Sequence, residues 1–313
     1  MKILFAGTPA IAVPLLHELA SFFDVCAVLT SPDKASGRSR QLMPSPVKVE
    51  AENLGIPVLQ FESLRTEARE AVRATGADTL VTFAFGKIFG PRFLALFDRA
   101  FNVHPSALPL LRGPAPIQWE ILNGFREGAV SFQSMSEKMD EGDIWAVDTF
   151  ELNGTENTQT LTGFVSQRAA RFVPQALKDI EAGKLASHPQ SGRATYCTMI
   201  DADMAKLDFN SDASKVHALV RAMYPWPKAW AEIDGKKIFI TSVSGGFEDF
   251  GKDEVPDCEV GTVFAFDKKR GLGVKCKDSV LWINGLQLPA KKEMDHVAFV
   301  NGNRWIVGAR FDA

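Results

Sequence analysis

The stretch Phe101-Asn102-Val103-His104-Pro105-Ser106-Ala107-Leu108-Pro109-Leu110-Leu111-Arg112-Gly113-Pro114-Ala115-Pro116-Ile117-Gln118 decides how the rest of the chain reads. It begins as the end of an apolar strand and turns polar at once. Asn102 and His104 are two residues apart, so on a strand their side chains share a face. The prolines and Gly113 then force a turn, and Pro114 and Pro116 can open a helix running to Asn123. In an open α/β sheet the carboxyl end of such a strand faces the ligand crevice. An amide donor and a titratable ring at that place are groups that acyl-transfer chemistry uses to hold an oxyanion.

Upstream of this stretch, strand and helix alternate. Lys2 to Ala6 is a short apolar run suited to a buried strand. Thr8 is expected to cap a helix opened by Pro9 and ending near Ser21. Val25 to Leu29 reads as a second strand, and residues 31–44 as a loop rich in Ser, Pro, Gly and basic side chains. Ser45 caps a helix with Pro46 in its first turn, and Gly55 follows its end. Leu64 to Thr75 is helical and stops at Gly76. Thr79 to Ala84 is a third buried strand, Pro91 opens a short helix, and Ala100 to Val103 is the strand described above. Buried strands joined by helices imply a mostly parallel, Rossmann-like sheet covered on both faces.

Downstream, Val130 to Met135 and Ile144 to Phe150 read as strands. Residues 157–182 are helical in pattern, with Pro174 expected to kink or divide them. Ser187 to Lys206 has little periodicity and many turn formers. The expected division is therefore a first domain over 1–186, a linker over 187–206 and a second domain over 207–313. In that last part a helix (Ala213 to Met223) leads into Tyr224-Pro225-Trp226-Pro227 and then short strands. Ala231 to Ile233 and Lys237 to Ile240 flank Asp234-Gly235, a hairpin turn. Gly261 to Phe266, Gly273 to Cys276 and Val280 to Ile283 continue the style, which points to a small antiparallel, OB-like barrel.

At 313 residues, two domains are the expectation. With 46% apolar and 23% charged residues the composition is that of a soluble globular protein. A formal net charge of −3 advertises no global affinity for polyanions, so a nucleic acid would have to meet a local patch. The four cysteines (Cys26, Cys197, Cys258, Cys276) show neither C-x-x-C pairing nor clustering with His, which fits free thiols in a reducing cytoplasm better than disulfides or a zinc site. No segment reads as membrane-spanning. Met1 to Ala6 imitates a signal peptide only briefly, because Gly7-Thr8-Pro9 and Pro14 break the run.

Gly7-Thr8-Pro9 lacks the further glycines of a dinucleotide fingerprint and the Lys-Ser/Thr of a phosphate loop. It reads as a tight strand-to-helix turn or as a backbone N–H site for a ligand. The turn Lys138-Met139-Asp140-Glu141-Gly142-Asp143 lies between two expected strands and can fold back toward the sheet edge that carries Asn102 and His104. By itself it is equally a solvated acidic loop. Ser106, His104 and Asp140 could be written as a hydrolytic triad, but there is no G-x-S-x-G elbow and Ser106 sits in a proline-rich turn. The loop Asp33-Lys34-Ala35-Ser36-Gly37-Arg38-Ser39-Arg40-Gln41 is either a solvated surface or a basic finger for phosphates.

Taken together these segments resemble the methionyl-tRNA formyltransferase family over nearly the whole chain. The resemblance rests on Phe5-Ala6-Gly7-Thr8-Pro9, on Gly37-Arg38 followed by Leu42-Met43-Pro44-Ser45-Pro46-Val47-Lys48, and on Asn102-x-His104-Pro105-Ser106. It continues through Arg112-Gly113-x-Ala115-Pro116-Ile117-Gln118, Met139-Asp140-x-Gly142-Asp143-Ile144 and Arg221-Ala222-x-x-Pro225-Trp226-Pro227. The chain departs from the family pattern at Ala107, at Ser39, at Phe85 in Ala84-Phe85-Gly86, and at Cys197-Thr198-Met199-Ile200 after Tyr196.

The resemblance implies formyl transfer from 10-formyltetrahydrofolate to methionine esterified to initiator tRNA, by a cytoplasmic monomer with no metal. It implies catalytic roles for Asn102, His104 and Asp140. Asn102 would donate to the oxyanion, His104 would share that task and assist proton movement, and Asp140 would orient His104 and help accept the amine proton. Folate would lie near Phe85, Gly86, Lys87, Ser106, Leu108, Pro109, Met139 and Gly142, and Lys34, Arg38 and Arg40 would meet the tRNA. The alternatives are a folate-dependent formyltransferase acting on a small amine such as an amino sugar, and a tRNA-binding protein without catalysis.

Overall fold

Strand β1 (Lys2–Gly7) is apolar and almost wholly buried, as a central strand covered on both faces must be. The computed structural model describes residues 1–36 and 41–312. After β1 come α1 (Val13–Phe22), β2 (Asp24–Thr30), β3 (Lys34–Ser36), β4 (Gln41–Met43), α2 (Pro46–Asn53), β5 (Val58–Gln60) and α3 (Thr66–Thr75). Then follow β6 (Thr79–Phe83), α4 (Pro91–Leu94), β7 (Arg99–His104), α5 (Pro116–Leu122), β8 (Glu127–Ser134), β9 (Ile144–Glu151) and α6 (Thr158–Glu181). The remainder is α7 (Ala213–Ala222), β10 (Ala229–Ile233), β11 (Lys236–Val243), β12 (Val263–Asp267), β13 (Gly271–Lys275), β14 (Val280–Gln287), β15 (Met294–Asp295) and α8 (His296–Gly302).

The chain forms two compact units. The first comprises Met1–Pro116, Ala129–Phe150 and Thr162–Cys197; the second comprises Ile117–Gly128, Glu151–Leu161 and Thr198–Ala313. The large sheet runs in the order β5-β2-β1-β6-β7-β8-β9. From β5 to β7 the pairings are parallel, and β8 is antiparallel to β7. This is the mostly parallel sheet predicted from the sequence. On one face Leu4, Ala6, Ala27, Leu29 and Leu80 pack with Val72 of α3 and with Phe85, Phe89 and Phe93. Ser45 caps α2 as expected, accepting from the Lys48 N–H.

Several local expectations are corrected. Thr8 caps nothing: its hydroxyl donates to the Phe85 carbonyl and pairs with Ser31 Oγ, tying together the carboxyl ends of β1, β6 and β2. The helix proper begins at Val13, after a short 3₁₀ turn at Ala10–Ala12, with Pro14 in its first turn. The supposed loop 31–44 holds the antiparallel pair β3–β4, and β5 is an additional three-residue edge strand. Helix α6 runs through Pro174 without a break. Residues 188 and 196 make single bridges to Ile144 and Arg112, so the turn-rich segment after α6 stays with the first unit as far as Cys197.

The second sheet is antiparallel, ordered β10-β11-β14-β13-β12 with β15 on β14. Asp234 and Gly235 both take positive φ in the β10–β11 turn, as a two-residue hairpin demands. The final segment draws the two sheet edges together. Its Gly308 N–H donates to Val263, its Phe311 N–H to Gly261, and its Asp312 N–H to Glu232 on β10. A sheet closed in this way is the small barrel the strand spacing predicted. Among the described residues no helix is long and apolar enough to cross a membrane.

Beneath that sheet His217 of α7 is buried and fully bonded. Its Nε2 donates to the Gly245 carbonyl and its Nδ1 accepts from Arg221 Nε at 3.0 Å, while Arg221 Nη1 donates to the Glu156 carbonyl. Burial, with the neighbouring Arg221 charge adding to it, pushes the His217 imidazole down to about 4. A depressed folded value means that the neutral ring stabilises the fold above the unfolded value of 6.5, and that this stability is lost as pH falls toward 4. Denaturant melts between pH 6.5 and 4 should show the native chain losing on the order of 3 kcal/mol more than His217→Gln. Equal pH slopes for the two proteins would remove His217 from the acid response.

Candidate active site

Strand β7 alternates strictly. Phe101 and Val103 point into the core, where Phe101 stacks on Phe132 of β8 with ring centroids 4.8 Å apart. Asn102 and His104 therefore point to the other face. The antiparallel register sets Asn102 opposite Gln133 and His104 opposite Ser131, so four polar side chains share one patch at the carboxyl end of β7. Strand β8 is otherwise apolar here, and Ser131 and Gln133 are buried.

The turn between β8 and β9 folds back onto that patch. Asp140 takes φ +55, a left-handed conformation that Asp tolerates better than most residues. Its Oδ1 accepts from Asn102 Nδ2 at 3.2 Å and from Gln133 Nε2 at 3.1 Å, and its Oδ2 from the Gly113 N–H at 2.9 Å. Gly142 lets the turn lie flat, because a Cβ there would sit 1.8 Å from the Ser134 carbonyl oxygen. Gly113, at φ +120, is equally required: its Cβ would meet the Cys197 carbonyl oxygen at 2.3 Å.

His104 is held from its far side. Its Nε2 lies 2.9 Å from the Leu111 carbonyl, which only accepts, so Nε2 carries the proton. In the neutral ring Nδ1 then presents a lone pair, 3.6 Å from Asp140 Oδ1. That separation is an ion pair when the ring is protonated and is too long for a hydrogen bond. The Asn102 side chain makes no other hydrogen bond among the described residues, which leaves its second N–H and its Oδ1 for a ligand.

The other predicted residues divide. Ser106 is fully buried and its hydroxyl donates to Leu110 within the turn, so it is no nucleophile and the triad reading falls. Leu108 donates its N–H to Ser131 Oγ, and the Leu108–Pro109 peptide is cis. Phe85 turns its ring inward, stacked on Phe89 at 5.1 Å, while Gly86 is exposed. Lys87 donates its ammonium to the Phe61 and Glu62 carbonyls. Met139 is 55% exposed beside Asp140. Lys34 is exposed on β3, and Arg38 and Arg40 lie outside the described residues.

Sequence reasoning missed Gln133, Leu111 and Gln190. Two polar residues alternating along the apolar β8 were the signal available for Gln133. Gln190 carried none. Its Nε2 reaches the carbonyls of both Asp140 and Gly142, and its Oε1 accepts from Arg112. Arg112 also pairs with Glu141 at 3.1 Å and donates to the Tyr196 hydroxyl. Cys197, behind the site, is inert: burial, with the Asp140 charge adding, pushes its thiol above the usual range.

Residues 1–177 match the formyl transferase family, and residues 199–304 match the formyl transferase C-terminal domain. The methionyl-tRNA formyltransferase of Borrelia hermsii is 36% identical over 313 residues, covering 99% of this chain and 100% of its own. That of Treponema pallidum is 39% identical over 320 residues, covering 99% of each. Among solved structures, the sugar 3N-formyltransferase WlaRD, determined with dTDP and 5-N-formyl-tetrahydrofolate, is similar with a TM-score of 0.68 at 18% identity. It covers 93% of this chain and 99% of its own, a likeness of fold. With both domain families matched in order and relatives matched end to end, the chain belongs to the methionyl-tRNA formyltransferase family.

Proposed function

We propose that the protein transfers the formyl group of 10-formyltetrahydrofolate to the free amino group of methionine esterified to initiator tRNA, as a cytoplasmic monomer serving translation initiation. The observation that carries this reading is the convergence of Asn102, His104 and Asp140 at the carboxyl edge of the sheet, in a chain matched end to end by methionyl-tRNA formyltransferases. The test is direct. Purified protein, labelled formyl donor and charged initiator tRNA are incubated, and formyl-methionine is sought. Formylation of a free amino sugar with none on the tRNA would overturn the reading.

The donor, when bound, supplies a formyl carbon to which the amine nitrogen bonds while the bond from that carbon to the donor's nitrogen breaks. The Asn102 amide has an uncommitted N–H, which suits it to the oxygen on which charge develops. His104 has its Nε2 proton fixed by Leu111, so Nδ1 is the ring atom free to take the amine proton and return it to the departing nitrogen. Asp140 steadies the imidazolium across 3.6 Å. Ring orientation thus rests on Leu111 as well as on Asp140. Folate fits the open side of this patch, where Gly86 and Met139 are exposed and the backbone at 108–109 turns. Phe85 and Ser106 serve it through the shape of the backbone.

For the tRNA, Lys34, Arg38 and Arg40 are assigned to the acceptor end, and the domain from residue 207 to the remainder of that arm. Support in the second unit comes from Lys237, whose ammonium sits 3.6 Å from the Trp230 ring centroid beside Phe239. Cation and aromatic surface together suit an RNA backbone with exposed bases.

Asn102→Ala should keep its fold and its folate affinity and lose about 10²–10³ in kcat, the usual cost of one oxyanion donor. Turnover near that of the native chain, with both substrates saturating, would take Asn102 out of the mechanism. Asp140→Asn should lose kcat heavily and also about 1–3 kcal/mol of stability, because both carboxylate oxygens accept N–H donors and an amide must turn its own N–H toward one of them. A stability loss with full activity in the folded fraction would make Asp140 purely structural. Arg38→Ala should lower kcat/KM for tRNA, reduce the salt slope by about 0.7–0.9 and spare folate binding. An unchanged slope would reduce the loop to solvated surface.

A further inference from the structure

The geometry points to Gln190 as the residue that positions Asp140, acting through the backbone of the turn rather than on any substrate. This rests on the role proposed above for Asp140. Gln190 lies between the two matched domain families, outside both. The turn it holds is conformationally demanding. Asp140 sits at positive φ, and Gly142 presses its backbone against the Ser134 carbonyl.

Gln190 Nε2 lies 2.8 Å from the Asp140 carbonyl and 2.8 Å from the Gly142 carbonyl, so its two N–H groups clasp the turn on either side of Glu141. Its Oε1 accepts from Arg112 Nε at 3.1 Å and Nη2 at 2.7 Å. Carbonyls only accept and guanidinium only donates, so the amide can be seated only one way round. Arg112 then reaches Glu141, which also accepts from the Tyr196 hydroxyl. Asp140, Glu141 and Gly142 are each tied down, and Gln190 is the node through which the backbone ties pass. Gly113, whose N–H bonds Asp140, directly follows Arg112, so the same amide steadies both sides of the carboxylate.

The two ends of the amide can be separated experimentally. Gln190→Glu keeps the size and the pairing with Arg112, but it presents an acceptor to two carbonyls. Gln190→Met keeps the volume and removes both ends. Both are assayed at saturating donor and charged tRNA after circular dichroism shows them folded. Gln190→Glu is expected to lose about 100-fold in kcat, the order of effect of a misplacement near 1 Å, with each KM within roughly threefold of the native value. Gln190→Met provides the same readout if the Glu variant does not fold. The double variant Asp140→Asn/Gln190→Glu should be no slower than Asp140→Asn alone, because a residue that works through Asp140 has nothing left to position. Turnover within about threefold of native in both Gln190 variants would overturn the inference, as would a double-variant loss equal to the product of the single losses. Native turnover in Asp140→Asn would instead remove the underlying assignment, and the inference with it.

Discussion

A carboxylate taken almost out of water must be met by donors, and here the donors come from separate elements. Asp140 is 10% exposed and accepts from β7 through Asn102, from β8 through Gln133 and from the turn before α5 through Gly113. Leaving any of them without its partner costs about as much as a lost buried hydrogen bond. That requirement fixes the fold-back of the 138–143 turn, the register of β7 on β8 and the approach of Gly113. The placement of the carboxylate and its local stability are thus the same set of bonds.

The sheet provides the frame for this. Parallel strands end together, so Thr8, Ser31, Phe85 and the end of β7 gather at one edge. The antiparallel β8 then adds a second row of polar side chains opposite the first. A wholly parallel arrangement would place a crossover there. Because β8 runs back along β7, with Ser134 opposite Phe101, the following turn must fold back over the strands to bring Asp140 to Asn102.

Much of this was legible in local pattern. The strand–helix alternation, the Ser45 cap, the Asp234-Gly235 hairpin and the shared face of Asn102 and His104 each follow from periods of two or 3.6 and from turn chemistry. Thr8 was misread because a hydroxyl before a proline has the grammar of a cap, while its actual partners lie 23 and 77 residues away. Strands β3, β4 and β5 are three residues each, too short for an alternation to declare itself. Gln190 escaped for a deeper reason. The groups it holds in the turn are backbone carbonyls 48 and 50 residues earlier, and a carbonyl has no side chain to leave a mark in sequence.

The closing segment of the second unit has a meaning beyond its own hydrogen bonds. A sheet edge is a row of unpaired amides and carbonyls, ready to template another chain. Strands β10 and β12 would each offer such a row. By donating to Glu232 on one side and Val263 on the other, the residues from Gly308 to Asp312 use up sites on both rows. The chain thereby protects itself from its own kind, since edge sites already paired within the molecule are closed to a second copy.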